Sequence, residues 1–200
     1  RKNSEFALFP YYTDDKITES SETTGSKTIL IVKIAEKKYL WEPFSNNYSG
    51  IYNISRNIYK NTIGNKVIFE EINHDLNIEF SYQWNSSDKY GFIKKSFIKN
   101  NSKNDVIINI LDGIQNILPY GVGEGLQNAQ SNLVDAYKKC ELEERSKLGL
   151  FTLSAIIVDK AEPSEALKAN TVWTTEIQNT KHLLSSLQLN NFRKGIILKS

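Results

Sequence analysis

Between Leu76 and Trp84 the chain keeps a strict two-residue period. Leu76, Ile78, Phe80, Tyr82 and Trp84 alternate with Asn77, Glu79, Ser81 and Gln83. Successive side chains of a strand point to opposite faces. This pattern therefore puts an apolar, aromatic face on one side and a wet face on the other, as in a half-buried strand. Comparable runs flank it. Ile51 to Tyr59, Lys66 to Ile72, Tyr90 to Lys99 and Val106 to Leu111 read as strands. They are separated by polar turns at Asn61–Asn65, Asn73–Asp75, Asn85–Asp88 and Asn100–Asp105. Strands at this regular spacing favour an all-β, antiparallel β-sandwich over any βαβ arrangement.

Upstream, Thr28 to Ala35 (TILIVKIA) is β-branched and almost continuously apolar, the mark of a strand covered on both faces. Lys38 to Trp41 is its expected hairpin partner, and Glu42 to Asn47 breaks the pairing. Phe6 to Tyr12 is a candidate first edge strand. Asp14 to Lys27 is rich in Ser, Thr, Glu and Gly and has little to bury, so residues 1–27 read as a partly flexible N-terminal segment.

The pattern changes at Leu111–Gly125. That stretch leaves a strand and enters a loop holding Pro119, Gly121, Gly123 and Gly125. Proline fixes φ and glycine permits conformations closed to other residues, so the loop is built to hold one shape. A structural corner and a binding loop flanked by Asn116 and Tyr120 are both compatible with it. Leu126 to Tyr137 fits one helical face through Leu126, Leu133 and Tyr137, although Asn132 to Tyr137 also fits a strand. Glu141 to Lys147 reads as a charged turn, Leu148 to Val158 as a strand covered on both faces, and Thr171 to Ile177 as a further strand. Pro163 sits well in the first turn of a short helix. Ser185 and Gln188 form a capping-box pattern ahead of a short helix from Ser186 to Lys194, stopped by Gly195.

Two hundred residues suit one domain able to bury a core without staples. A net charge of +2 with 24% charged residues creates no field that would hold nucleic acid or an anionic membrane. Cys140 is the only cysteine, which precludes an internal disulfide or a multi-cysteine metal site. No apolar run approaches the roughly 20 residues of a membrane span. The chain lacks methionine and stops just after Ile196-Ile197-Leu198 begins an apolar element. It reads as a piece of a longer protein.

Self-contained catalytic chemistry is hard to find. Only His74 and His182 exist, too few for histidine metal ligation or for a convincing Ser-His-Asp triad. His74 lies in a polar turn and His182 ahead of a helix. Glu70 and Glu71 are adjacent on a strand and point to opposite faces, so they cannot work across one bond. Glu162 and Glu165 would share a helix face, where carboxylates are ordinarily solvated. No phosphate-binding, nucleophile-elbow or paired-cysteine motif occurs, and no cofactor or metal is implied. Among the aromatics, Trp84 belongs to the apolar face. Trp41, beside a polar loop, is the better candidate for an exposed sugar-stacking platform.

Several segments resemble one family in order. They are Leu40–Phe44, Gly64–Asp75, Asp112–Val122, Ser131–Lys139, Asp159–Trp173 and Leu183–Gly195. Together they resemble large bacterial proteins described as cellobiose-phosphorylase-like. The resemblance implies an N-terminal β-supersandwich of the galactose-mutarotase-like type, ahead of a helical barrel that carries the catalytic carboxylates and is absent here. It implies a non-catalytic support for carbohydrate chemistry by phosphorolysis or hydrolysis, with loops bordering an active site and a role in homodimerisation. It leaves the compartment open between bacterial cytoplasm, periplasm and secretion. On this reading Trp41, Asn116, Tyr120, Glu162 and Glu165 are the carbohydrate-binding candidates, and the partners are a carbohydrate and the downstream barrel. The rivals are a mutarotase-like epimerase using His74 with a glutamate, and a pure interaction domain with unpaired sheet edges.

Overall fold

The computed structural model describes residues 7–10, 19–155, 168–196 and 198. The sequence reads as one sandwich domain, whereas the chain packs as two compact units. One is Thr28–Gly113; the other combines Arg1–Lys27 with Ile114–Ser200.

The Thr28–Gly113 unit is a β-sandwich. Strands β1 (Gly25–Ile34) and β2 (Lys37–Trp41) form an antiparallel hairpin in register Leu30 with Trp41. The strand β7 (Ile107–Gln115) lies on the other side of β1, giving the sheet order β2-β1-β7. The second sheet is the meander β3 (Ile54–Lys60), β4 (Lys66–Asn73), β5 (Ile78–Ser87) and β6 (Gly91–Asn100), each antiparallel to the next. Between the sheets, Leu30, Val32 and Trp41 meet Leu76, Ile78 and Phe80 in one buried cluster. Phe44, Phe69, Phe80 and Tyr82 add ring contacts, among them a stacked Phe69–Tyr82 pair at 4.9 Å. Alternation in β5 is thus the inner face, and the continuous apolar run of β1 is buried from Lys27 to Val32.

Short polar devices set the turns. Asn61 Oδ1 accepts from the backbone N–H groups of Gly64 and Lys66, and Gly64 takes φ +79° to close the β3–β4 turn. Asn73, fully buried, accepts from Leu76 N–H at 3.0 Å and starts the β4–β5 turn. Side-chain acceptors of this kind replace the ladder where the chain reverses.

The other unit contains the helix α1 (Glu124–Tyr137) and a sheet in the order β10-β9-β8. Its strands are β8 (Lys138–Glu143), β9 (Leu148–Leu153) and β10 (Asn170–Val172). Among the described residues its core cluster is Leu118, Val122 and Val134, with Ala7, Leu126 and Leu153 against it. Near the C-terminus a 3-10 turn (Ser186–Gln188) runs into the one-turn helix α2 (Leu189–Arg193).

Several expectations change. Residues 7–10 form no strand, and the rest of the Phe6–Tyr12 candidate lies outside the described residues except for those positions. The reading of Asp14–Lys27 as loop fails at its end, where β1 already begins at Gly25 and buried Lys27 pairs with Glu22 at 2.6 Å. The strand expected from Ile51 starts at Ile54, because residues up to Tyr52 still turn. Leu126–Tyr137 resolves as helix, with a break at Gln130 (φ −143°, ψ 39°). Part of the supposed Glu141–Lys147 turn is strand, since β8 runs to Glu143. Thr171–Ile177 shrinks to the three residues of β10, and β9 ends at Leu153. The capping serine works, but Ser185 Oγ accepts from Leu187 N–H and opens a 3-10 turn before the helix. The Pro163 helix lies outside the described residues.

Candidate functional site

Of the five sugar-binding candidates, Trp41, Asn116 and Tyr120 lie among the described residues. Trp41 is a correction: it is only 2% exposed, and its indole N–H donates to Glu71 Oε1 at 2.9 Å. A ring enclosed between sheets offers no face for stacking. Its burial depends on an acceptor 30 residues later, which the polar neighbours in sequence do not reveal. Asn116 takes φ +55°. Its amide donates to Thr24 Oγ1 and its oxygen accepts from Lys138 Nζ, so it braces the bend after β7. Tyr120 is partly exposed, with Lys168 Nζ 5.5 Å from its ring centroid. Glu162 and Glu165 lie outside the described residues. The loop between β7 and α1 is anchored by buried Ile117, Leu118 and Val122. Asn170 donates to Leu118 O at 2.7 Å, and Leu118 N–H to Leu8 O. These contacts make it a packed corner.

His74 is exposed on the β4–β5 turn, with Nε2 2.8 Å from Ser55 Oγ. An outer hairpin does not provide the concave, carboxylate-lined setting that a proton-exchanging epimerase needs. His182 is half-buried, with Nε2 3.0 Å from Thr174 Oγ1. Burial raises the Cys140 thiol pKa, with Lys138 opposing the shift, which keeps that thiol protonated and a poor nucleophile near neutrality. Among the described residues no group of three or more His, Cys, Asp and Glu could hold a metal ion.

Two polar clusters sit inside the sandwich unit. Glu71, 1% exposed, accepts from Trp41 Nε1, Phe44 N–H and Arg56 Nε, the last at 2.7 Å. Arg56 also donates to Ser45 O. This carboxylate fixes the loop after β2, where Phe44 adopts φ +65°. Asp112 forms the second cluster. It accepts from Thr28 Oγ1, from Lys94 Nζ at 2.6 Å and from Ser96 Oγ at 2.7 Å, while Lys94 also lies 5.5 Å from the Tyr82 ring centroid. Burial lowers the Lys94 pKa, and Asp112 works against that shift. Burial, helped by the Asp112 charge, pushes the Tyr82 phenol up to about 12. Donors and acceptors match one another in both clusters. They lock sheet to sheet and leave no group aimed at a reactant.

The accessible chemistry lies on the opposite face of the four-stranded sheet. Paired residues in antiparallel strands share a face. One row across β3, β4, β5 and β6 is Asn57, Glu70, Ser81 and Phe97; the next is Tyr59, Ile68, Gln83 and Lys95. Phe97 is 51% exposed and Tyr59 is 50% exposed. Glu70 Oε1 accepts from Asn57 Nδ2 at 2.9 Å and from Tyr59 Oη at 3.0 Å. This bond is the first cause of the raised Tyr59 pKa, followed by burial. Gln83 Nε2 donates to Asn85 Oδ1 at 2.7 Å. Glu70 and Glu71 therefore divide their work as neighbours on a strand must: one orders the outer face, the other the core. No protein-family model matches the chain. A search of curated proteins finds no match either. What this surface can do follows from its side chains: two accessible rings share a face with the Ser81 hydroxyl and with the Glu70 carboxylate, which Asn57 and Tyr59 hold in place, while Gln83 is buried.

Sequence reasoning misses this surface because Tyr59 and Phe97 are 38 positions apart and meet one face only through the register of four strands. The alternation in β5 is the signal that could have found it. Its polar positions, Ser81 and Gln83, define the outer floor.

Proposed function

We propose that this chain is a non-catalytic β-sandwich of a large carbohydrate-active protein, serving as scaffold and binding carbohydrate on the outer face of its four-stranded sheet. The observation that carries the reading is the placing of exposed Tyr59 and Phe97 on one face with the polar side chains of Glu70 and Ser81. Sugars present apolar C–H faces that stack on rings and hydroxyls that both donate and accept, so a mixed aromatic and polar surface suits them. The resemblance of the ordered segments to cellobiose-phosphorylase-like proteins supports the same reading.

Isothermal titration with oligosaccharides should give weak, saturable binding by the chain, and incubation with the same sugars should give no turnover. Hydrolysis or phosphorolysis catalysed by this chain would overturn the non-catalytic part. A second reading, an interaction domain, is favoured by the edge strand β3, where Ile58 is 69% exposed and the following turn holds Ile63 at 82%. Unpaired edges of this kind invite association. A monomer at every concentration in light scattering would count against it.

A further inference from the structure

Resting on the sugar-surface reading, we propose that the ligand is a neutral, unbranched oligosaccharide lying across the strands, its ends stacked on Tyr59 and Phe97. Tyr59 is on the edge strand β3 and Phe97 on the edge strand β6, in adjacent rows of the same face. Three inter-strand steps of about 4.8 Å and a two-residue offset of about 7 Å separate them. A pyranose ring is comparable in width to one inter-strand step, so roughly three or four rings fill this span. A monosaccharide would reach one aromatic end only.

The floor between the rings carries half-buried Glu70 and Ile68 from β4 and Ser81 from β5, while Gln83 on the same face is buried. Glu70 supplies carboxylate acceptors and Ser81 a hydroxyl, which suits sugar hydroxyls. Glu70 also holds the Tyr59 ring through the phenol hydrogen bond. That tether limits the side-chain freedom that binding would otherwise have to remove.

Charge selects the ligand class. Lys66, Lys95 and Lys99 share this face with Glu70 and Glu79, and Lys99 pairs with Glu79 at 3.5 Å. Arg56 belongs to the opposite face, bound to Glu71. The two signs are interspersed, so an acidic or a basic glycan would each meet like charge as well as opposite charge. A neutral chain meets no like charge.

The test is a titration of the chain with glucose, cellobiose, cellotetraose and cellohexaose, with maltohexaose in parallel, read by calorimetry and by amide chemical-shift mapping. Affinity should rise from cellobiose to cellotetraose, level off at cellohexaose and change little with added salt. Shifts should centre on Glu70, Ser81 and Gln83. Tyr59→Ala and Phe97→Ala should each weaken cellotetraose binding about three- to tenfold, while Tyr59→Phe should retain most of it. Glucose binding as tightly as the longer sugars, shifts centred elsewhere, or an unchanged Phe97→Ala would overturn the cross-strand geometry while leaving a sugar surface in place. Failure of every sugar to bind would overturn both.

Discussion

The two units of this chain hold themselves together by different means. The Thr28–Gly113 unit closes two sheets over Leu30, Val32, Trp41, Leu76, Ile78 and Phe80. Among the described residues, the other unit gathers Leu118, Val122 and Val134 into a buried cluster, and its described strands are six residues or fewer. The first also buries charge: Glu71 is enclosed with its donors, and the Lys94 side chain, 8% exposed, is paired with Asp112. In the second, Lys139 and Glu141 pair about half exposed, where such pairs contribute about 0–1 kcal/mol, while Lys27, 6% exposed, is enclosed against Glu22. The contrast teaches that a broad apolar interior lets one carboxylate gather several donors from different strands, as Glu71 and Asp112 do.

The largest expected effect tests the two interiors directly. Phe80→Ala should destabilise the sandwich unit by about 3–5 kcal/mol, since it empties a fully enclosed site. Leu118→Ala should cost the other unit about 2–3 kcal/mol, the lower part of the range for leucine truncation, because a small cluster collapses more readily. Urea denaturation followed by unit-resolved hydrogen exchange separates the two, and equal losses would break the comparison.

Next comes the Glu71 lock. Glu71→Ala leaves the Trp41 indole N–H, the Phe44 N–H and Arg56 without their acceptor. The expected loss is about 3 kcal/mol, at the low end for a broken buried pair because Arg56 is 40% exposed and can rehydrate. Trp41 fluorescence should report the loosened loop. A melting temperature unchanged from the parent would mean that the cluster stabilises nothing.

A somewhat smaller effect is alkaline. The Tyr82 phenol titrates at about 12 in the folded chain, against an ordinary value of 10.0. A raised folded pKa contributes stability that is present below pH 10 and lost as pH rises towards 12. The size is about 2–3 kcal/mol. Lys94 works in the other direction just below its ordinary value of 10.5, because its folded pKa is lowered, and it blunts the onset. Thermal unfolding between pH 10 and 12 should therefore steepen in the parent and flatten in Tyr82→Phe. An equally steep loss in that variant would assign the alkaline weakness to other groups.

Smallest is the acid response of the second unit. Glu143 accepts hydrogen bonds from Ser146 and from Arg145 N–H, which lower its pKa below 4.5. That contribution is present above pH 4.5 and disappears as pH falls through the depressed folded value. Glu143→Ala should remove a slight acid-side loss from the melting curve of this unit, and a variant that follows the parent curve throughout would show the turn to be neutral.

Local periodicity carried the fold a long way. β5 and β1 were legible because their burial pattern is written in consecutive residues: alternation for one wet face, an unbroken run for none. The second unit was less legible for the same reason. β10 keeps two residues, Thr171 and Val172, of the seven-residue Thr171–Ile177 stretch read as strand, and α1 carries a break that its composition does not announce. The candidate site was hardly legible at all. Trp41 beside a polar loop looked open to solvent, and Tyr59 and Phe97 looked unrelated.

By itself, then, the chain determined that it would make half-buried antiparallel strands, and that Glu70 and Glu71 would part to opposite faces, since both follow from the two-residue pleat. Tertiary structure alone decided which ring is sealed and which is offered. Glu71 must arrive from another strand to satisfy the Trp41 indole, and four strands must settle in register before Tyr59 and Phe97 share one surface. The reason is physical: burial and hydrogen-bond satisfaction are properties of neighbours in space, and the pleat fixes only the side from which a residue will meet them.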